Sequence, residues 1–408
     1  MEHDSRDPVL TVDILSSAAD LGTSEWSELA SGASLYSSYP WVRWSEESPD
    51  HLAMHLVCRD PDGRPLAVLP TFLWTGGGSS PNSWYDPHRV FVAPHHVTAP
   101  RDPGWFPLLL LGSCAGYRSD VLFAPLSPLP TRARAATALI SRAREIAVDV
   151  GGAIAAMYLP STAIELLAAT STFCLPPTPT SAEAVIPVEP GGLDALLGRL
   201  GGKRRRSIQR EVRAFARAGH RIELLSLREA WPIAGRLLGA LQRKHGEHDS
   251  DEAMLTYLES QAVFLDEVST VLIEYDGATP VGFCLTYGHG ATLYARAAGF
   301  DIEAAPFAYF NLAIYRCVEL AAERGLRALD LGTGAYPAKC ARGARLHELW
   351  SSVAPPPELP RDQRAALGMP AGEALGAATS GQCFPSITGG DGSLFSNGKV
   401  PTEGVHVP

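Results

Sequence analysis

"LDLGTGAYPAKCARGA", residues 329–344, is the stretch on which the fold turns, because it admits three incompatible readings. A phosphate-cradling P-loop needs two glycines five apart, then Lys, then Ser or Thr, so that amides, ammonium and hydroxyl converge on phosphate and magnesium. Here Ala338 precedes Lys339 and Cys340 follows it, so that reading fails. An S-adenosylmethionine loop of the Asp-x-Gly-x-Gly-x-Gly kind fits Asp330, Gly332 and Gly334, with Tyr336 in place of the third glycine. A doubly wound methyltransferase needs several more βα units after that first loop. The residues from 345 to 408 are rich in Pro, Gly and Ser and leave no room for them. In the third reading Gly332 and Gly334 turn the chain sharply at a strand end and aim Tyr336 and Lys339 into a cleft between two halves.

Working outward, 408 residues with 46% hydrophobic and 19% charged side chains bury a large core and divide into two domains. A net charge of −10 argues against a surface that attracts nucleic acid everywhere, but leaves a local basic patch open. The seven cysteines are never closer than 23 residues apart, so no zinc ribbon or C-x-x-C pair can be drawn, and a reduced cytoplasm is the expected setting. The acidic start "MEHDSRDP" and the short aliphatic run "LLLL" (108–111) predict a soluble, unexported chain with no membrane insertion.

The first half reads as strand "VLTVDIL", a short helix at "EWSELA", and an aromatic segment, "SLYSSYPWVRWSEE". A hairpin follows around Asp62-Gly63. Helix "TRARAATALISRAREIAVDV" and strand "AIAAMYLP" come next, and "LPPTPTS" (175–181) reads as a stiff connector before strand "AVIPVE". The second half repeats the plan: strand "RIELLS", two helices, and a hairpin around Asp276-Gly277, which lies 214 residues after the first turn. Strand "TLYARAAGF", helix "APFAYFNLAIYRCVELAAERG", strand "RALDLG" and a last strand "RLHELWSSV" complete it. Phe307, Phe310, Ile314, Cys317 and Leu320 recur at helical spacing and predict a core-facing stripe. The expected division is 1–190, 191–353 and a disordered 354–408 tail.

Between Arg199 and Arg221 stand nine basic residues against one acid, Glu211. On a helix Lys203, Arg206, Arg210, Arg213 and Arg217 form one stripe, flanked by Arg204 and Arg205, and suit either the phosphates of a nucleic acid or a solvated face. "YSSYPWVRW" and "NSWYDPHRV" supply Tyr39, Trp41, Trp84, Tyr85 and Asp86, aromatics and an acid that either line a ligand platform or staple core and loops. The histidines of "APHH" and "KHGEHD" lack ligand spacing, so no metal is assigned.

Two α/β units of this order, with mixed sheets flanked by helices, resemble the twin GNAT-type domains of the Fem peptidyltransferase family (FemABX) and the FemAB-like proteins of actinobacterial secondary metabolism. The resemblance spans roughly residues 30–353. It rests on "GGKRRRSIQREVRAFARAG" (201–219), on the helix after "LYARAAGFD", and on "YPAKCARGA". That last stretch is similar to the family's Phe-Lys-x-x-Phe-Gly-like turn, with Lys339 at the lysine and Gly343 at the glycine; Tyr336-Pro337 and Arg342 depart from it. The Arg/Gln-x-x-Gly-x-Gly/Ala turn by which acyl-CoA-dependent GNAT proteins hold pyrophosphate is replaced by "AGFDIEAAPFAYF", where Asp301 and Glu303 would repel it.

The resemblance implies a cytoplasmic aminoacyltransferase. It would move an amino acid from aminoacyl-tRNA to the amine of a small molecule, either a secondary-metabolite intermediate or a cell-wall precursor, without a cofactor. Since the family binds its acceptor mainly through the first domain, the resemblance also implies an acceptor pocket lined by Tyr39, Trp41, Trp84, Tyr85 and Asp86, with Asp86 and His88 as polar anchors for the amine. Amide formation from an ester runs downhill, so such an enzyme needs positioning and charge stabilisation. Lys339, with Tyr336 beside it, is the candidate to meet the developing oxyanion, an effect of roughly 3 kcal/mol; its other reading is a lysine that caps its own loop. Arg342 either binds a phosphate or carboxylate or forms a salt bridge. The rivals are an N-acyltransferase fed by acyl-CoA or a carrier-protein thioester, and a binding module that has lost the chemistry.

Overall fold

The computed structural model describes residues 9–75, 83–87, 90–91, 105–170, 172–173, 176–244, 251–301 and 303–356. His88 and the tail from residue 357 onward lie outside them. In the first half the strands are β1 (Thr11–Leu15), β2 (Leu52–Ala53), β3 (His55–Arg59), β4 (Pro65–Leu69), β5 (Thr71–Trp74), β6 (Leu108–Leu111), β7 (Leu122–Phe123), β8 (Ala153–Pro160) and β9 (Thr178–Pro187). The second half adds β10 (Arg221–Leu225), β11 (Ser269–Asp276), β12 (Thr279–His289), β13 (Thr292–Phe300), β14 (Ala328–Asp330) and β15 (Arg345–Ala354).

Two sheets result. The smaller has the order β1-β3-β4-β7, and the larger runs β10-β11-β12-β13-β14-β9-β15-β8-β6-β5-β2 across both halves. Pro70, which has no N–H for a ladder, separates β4 from β5, so one extended segment serves two sheets. Gly63 and Gly277 take positive φ, +81° and +58°, at the two hairpin turns, as the Asp-Gly pairs predict.

Eleven α-helices flank the sheets among the described residues: α1 (Thr23–Leu29), α2 (Tyr39–Glu46), α3 (Leu129–Val150), α4 (Ser161–Ala168), α5 (Gly192–Arg199), α6 (Gly202–Ala218), α7 (Leu227–Lys244), α8 (Asp251–Leu265), α9 (Ala308–Phe310), α10 (Cys317–Glu323) and α11 (Tyr336–Cys340). A π-helical stretch, Asn311–Arg316, joins α9 to α10. On one face of the second-half strands, Leu237 of α7, Leu258 of α8 and Phe283 of β12 pack with Tyr36, Trp41 and Tyr117 from the first half. On the other face Leu196 of α5, Ile208 of α6 and Ile314 close a separate core around Leu329 of β14. Each such wholly buried side chain contributes about 1.5–3 kcal/mol.

Two local expectations need correction. The "LPPTPTS" connector is strand from Thr178 onward: β9 is ten residues long and lies between β14 and β15. Pro179 is tolerated there because it faces Trp350 where the register of that pairing shifts, so no regular ladder bond is lost. Phe307 does not belong to the core stripe. It precedes α9 with φ +64° and is 48% exposed, while Ile314, Cys317 and Leu320 are buried. Phe307 stands in the left-handed region before the first helical turn, so the periodicity of the helix does not govern where it points.

Candidate functional site at the end of β14

β14 pairs in parallel with β13 for three residues only, from Thr292↔Ala328 to Tyr294↔Asp330. Beyond Asp330 the chain stays with β9, since Leu331 N donates to Ala184 O (2.9 Å) and Ala184 N to Gly332 O (3.0 Å). β13 meanwhile continues to Phe300, so the two parallel strands part and open a wedge in the sheet. The 329–344 stretch lines one side of it. Gly332 and Gly334 have φ of +64° and +72°. At Gly332 a Cβ would come within 2.8 Å of the Tyr117 ring, so both the backbone and the space demand glycine.

Lys339 is 4% exposed, and its Nζ donates to the carbonyls of Leu331 (2.7 Å) and Thr333 (2.6 Å). The ammonium therefore clamps its own turn, and one of its three N–H donors is left over. Burial pulls its pKa down to about 8, although Asp330 and Cys340 pull the other way. Asp330, also 4% exposed, accepts from Gly332 N through Oδ1 (2.6 Å). Its pKa is pushed up to about 7, first by burial and then by the nearby Glu183, against the Gly332 bond and the charges of Lys339 and Arg118. A carboxyl raised and an ammonium lowered toward neutrality on one turn are the property an acid–base pair needs.

The charges continue into the first half. Arg118 bonds Glu183 of β9 at 2.9 Å and Asp120 at 2.9 Å. Asp120 also accepts from Ser34 N and Oγ, and with Arg118 these bonds hold its pKa below the usual carboxylate value against burial, the largest influence. Composition and spacing gave no sign of Arg118, Asp120 or Glu183, which come from two segments more than sixty residues apart.

Tyr336 points away from the wedge. Its hydroxyl donates to Ala182 O (3.0 Å) and accepts from Ala182 N (3.1 Å), anchoring α11 on β9. Arg342 is turned inward: NH2 bonds Glu211 Oε2 of α6 at 2.9 Å, Nε bonds the Tyr315 hydroxyl at 2.8 Å, and the guanidinium lies over the Phe310 ring. Tyr315 also donates to Glu211. The one acid of the basic segment is thus a buried strut, a role its isolation among nine cations could have signalled.

Much of α6 faces water. Ile208 and Glu211 are its buried residues. Lys203, Arg204, Arg205, Arg206, Arg210, Arg213 and Arg217 are exposed, and the five-residue stripe lies opposite the packed side. None of those five has an ion-pair partner among the described residues, whereas Arg199 pairs with Glu189 and Arg221 with Glu223.

The aromatic candidates do not share one wall. Trp41 is fully buried against Tyr36, Trp44 and Tyr287, and its Nε1 donates to Ala115 O. Tyr85 is equally buried, beside Tyr158, with Trp84 half-buried on the same tyrosine. Tyr39 is half-buried against the same core, and Asp86 is buried. At the mouth of the wedge, the loop after β13 offers few free amides: Ala305 N donates to the wholly buried Glu274 (2.8 Å), which also holds His220 (2.8 Å). Among the described residues no helix is long and apolar enough to cross a membrane.

Comparison with known proteins agrees with this topology. The family model described as an acetyltransferase (GNAT) domain matches residues 202–339. A solved FemX structure superposes with a TM-score of 0.55 at 14% identity, covering 81% of this chain and 95% of that one. The C-terminal domain of a protein named as a lysylphosphatidylglycerol synthetase, from Agrobacterium fabrum, gives 0.50 at 12% identity over 85% and 94% of the two chains. A conserved protein of unknown function from Bacteroides thetaiotaomicron gives 0.50 at 11% over 85% and 99%. No curated protein matches. At such identities the likeness is one of fold, and the chain is a mixed α/β protein of GNAT-like fold whose residues 202–339 match the acetyltransferase (GNAT) model.

Proposed function

We propose that the protein is an N-aminoacyltransferase that moves an amino acid from aminoacyl-tRNA to the amine of a small molecule. The donor side is the 191–353 half and the acceptor side the 1–190 half. One observation carries this reading: the buried Glu211–Arg342 ion pair bolts the packed side of α6, whose outer face carries the basic stripe, to the turn that presents Lys339, three residues before Arg342. An acceptor end resting its phosphates on Lys203, Arg206, Arg210, Arg213 and Arg217, with Arg204 and Arg205 beside them, is thereby held in fixed relation to the wedge. The match to FemX in fold and the family resemblance of the turn favour the same donor.

In the reaction the amine nitrogen attacks the ester carbonyl, a C–N bond forms, and the ribose oxygen leaves. The remaining N–H of Lys339 donates to the oxyanion. Asp330, whose Oδ2 takes no hydrogen bond among the described residues, receives the proton of the attacking amine and returns it to the leaving oxygen. Glu274, Asp301 and Glu303 around the 301–307 loop disfavour a pyrophosphate there and so weigh against acyl-CoA.

The test is binding to total charged tRNA across a salt series, with Lys203, Arg206, Arg210 and Arg217 changed together to Ala. Wild type should bind with a steep salt dependence, and the variant should lose roughly three units of the log–log slope. Absence of binding at low salt, or turnover of acyl-CoA without tRNA, would defeat the proposal in favour of a thioester donor.

A further inference from the structure

Arg296 of β13 is 3% exposed and has no carboxylate within ion-pair distance among the described residues. The chain treats its other inward-turned arginines differently, giving Arg342 to Glu211 and Arg118 to Asp120 and Glu183. Among the described residues the groups that touch its guanidinium are neutral. NH1 donates to the Tyr117 hydroxyl (2.9 Å) and NH2 to the Tyr257 hydroxyl (3.2 Å). The guanidinium lies 4.6 Å from the Tyr117 ring centre and 5.6 Å from that of Trp41, and among the described residues Nε has no hydrogen-bond partner. A dry, permanent cation held by phenols and ring faces is poorly compensated.

The backbone supplies a second, independent sign. In the β12–β13 ladder Leu285 faces Ala297 and Thr286 faces Ala295, so Arg296 is the extra residue of a bulge. Bulges re-aim a side chain, often beside active sites. This one directs Arg296 to the junction of the halves, between Trp41 and Tyr117 of the first and Tyr257 of the second. The Tyr117 ring also covers Gly332, directly beside Asp330.

We infer that Arg296 is the seat of a substrate oxyanion, a carboxylate or phosphate carried by the acceptor molecule. The two tyrosine hydroxyls stand where its oxygens bond the guanidinium fork, and the unpartnered Nε completes the recognition. The acceptor is then a small anionic amine, with its charged group at Arg296 and its nitrogen toward Asp330. Assigning the anion to the acceptor rests on the aminoacyl-transfer reading, but the anion site itself does not.

The experiment is thermal unfolding of the full chain, wild type and Arg296→Met, at constant ionic strength, with chloride replaced by acetate or by inorganic phosphate. In chloride Arg296→Met should melt at or above the wild-type temperature, because it removes an uncompensated buried cation. One of the two anions should raise the wild-type midpoint by about 2 °C at ten times its Kd and leave the variant unmoved, which also sorts carboxylate from phosphate. Loss of more than about 5 °C by the variant in chloride would make Arg296 a structural strut and overturn the inference. So would no response of wild type to either anion, or equal responses of both proteins, which would place the anion elsewhere, as on α6. tRNA takes no part, so failure here leaves the donor assignment standing, and failure of tRNA binding leaves this site standing.

Discussion

The protein carries two concentrations of charge that obey different physics. At the end of β14, Lys339, Asp330, Glu183 and Asp120 are buried, with the half-buried Arg118 bridging the last two, and Asp330 and Lys339 are displaced toward neutrality. On α6 the cations of the stripe are exposed and unpaired among the described residues. Dry charges interact strongly and each depends on its neighbours, whereas wet charges are screened beyond about 8–10 Å and act nearly independently. One region can hold a reacting centre and the other can hold a polyanion. The Glu211–Arg342 pair, with one foot in each, is where the contrast can be broken first.

Removing one partner of a buried ion pair strands the other, at about 3–5 kcal/mol. Glu211→Ala leaves Arg342 buried with only Tyr315 and the Ala338 carbonyl as acceptors. It should be the most destabilising change, read as a fall in the urea midpoint at constant m-value. A drop below about 1 kcal/mol would mean that α6 is not coupled to the lysine turn, and the contrast would lose its hinge.

Next in size is the reacting pair itself. Lys339→Ala should lower kcat by about 10²–10³, the size for one oxyanion donor, with KM for tRNA little changed. The pH profile gives the sharper reading. Asp330 must be ionised to accept a proton, so the rate should rise through about pH 7; Lys339 must be protonated to donate, so it should fall again through about pH 8. The narrow bell should lose its alkaline limb in Lys339→Ala and its acid limb in Asp330→Asn, with melting curves run alongside because Lys339 also holds the Leu331 and Thr333 carbonyls. A flat profile between pH 6 and 9 would remove both residues from the chemistry.

Much of this contrast was visible in the sequence, and the reasons for the rest are physical. The two Asp-Gly hairpins, the helix of residues 202–218, and the Gly332/Gly334 turn are local matters of φ, periodicity and patterning, and they fold as those patterns predict. β9 was half missed because Pro179 reads as a breaker, and only a shifted register with a strand 171 positions away makes it tolerable. Arg342 looked like a ligand residue because its partner lies 131 positions earlier. The bulge at Arg296 depends on how β12 pairs, which no window of β13 alone reveals. Sites made from residues far apart in the chain leave no spacing to read.

The smallest effect belongs to the wet region and completes the contrast. Arg210→Ala removes one exposed cation from the solvent side of α6, with no ion pair lost among the described residues, so stability should stay within about 0.5 kcal/mol of wild type. What should change is tRNA affinity, by a modest factor that shrinks as salt rises, with the log–log slope reduced by about one unit or slightly less. Each further stripe residue removed should subtract a similar amount, because charges this well solvated are nearly additive. The buried cluster at the end of β14 should behave in the opposite way: in Asp330→Asn the added loss from Lys339→Ala should be much smaller than in wild type, since the two residues serve one proton transfer and one oxyanion. Additive losses in that cluster, or strongly non-additive ones along α6, would show that burial does not divide the charges of this protein into two kinds.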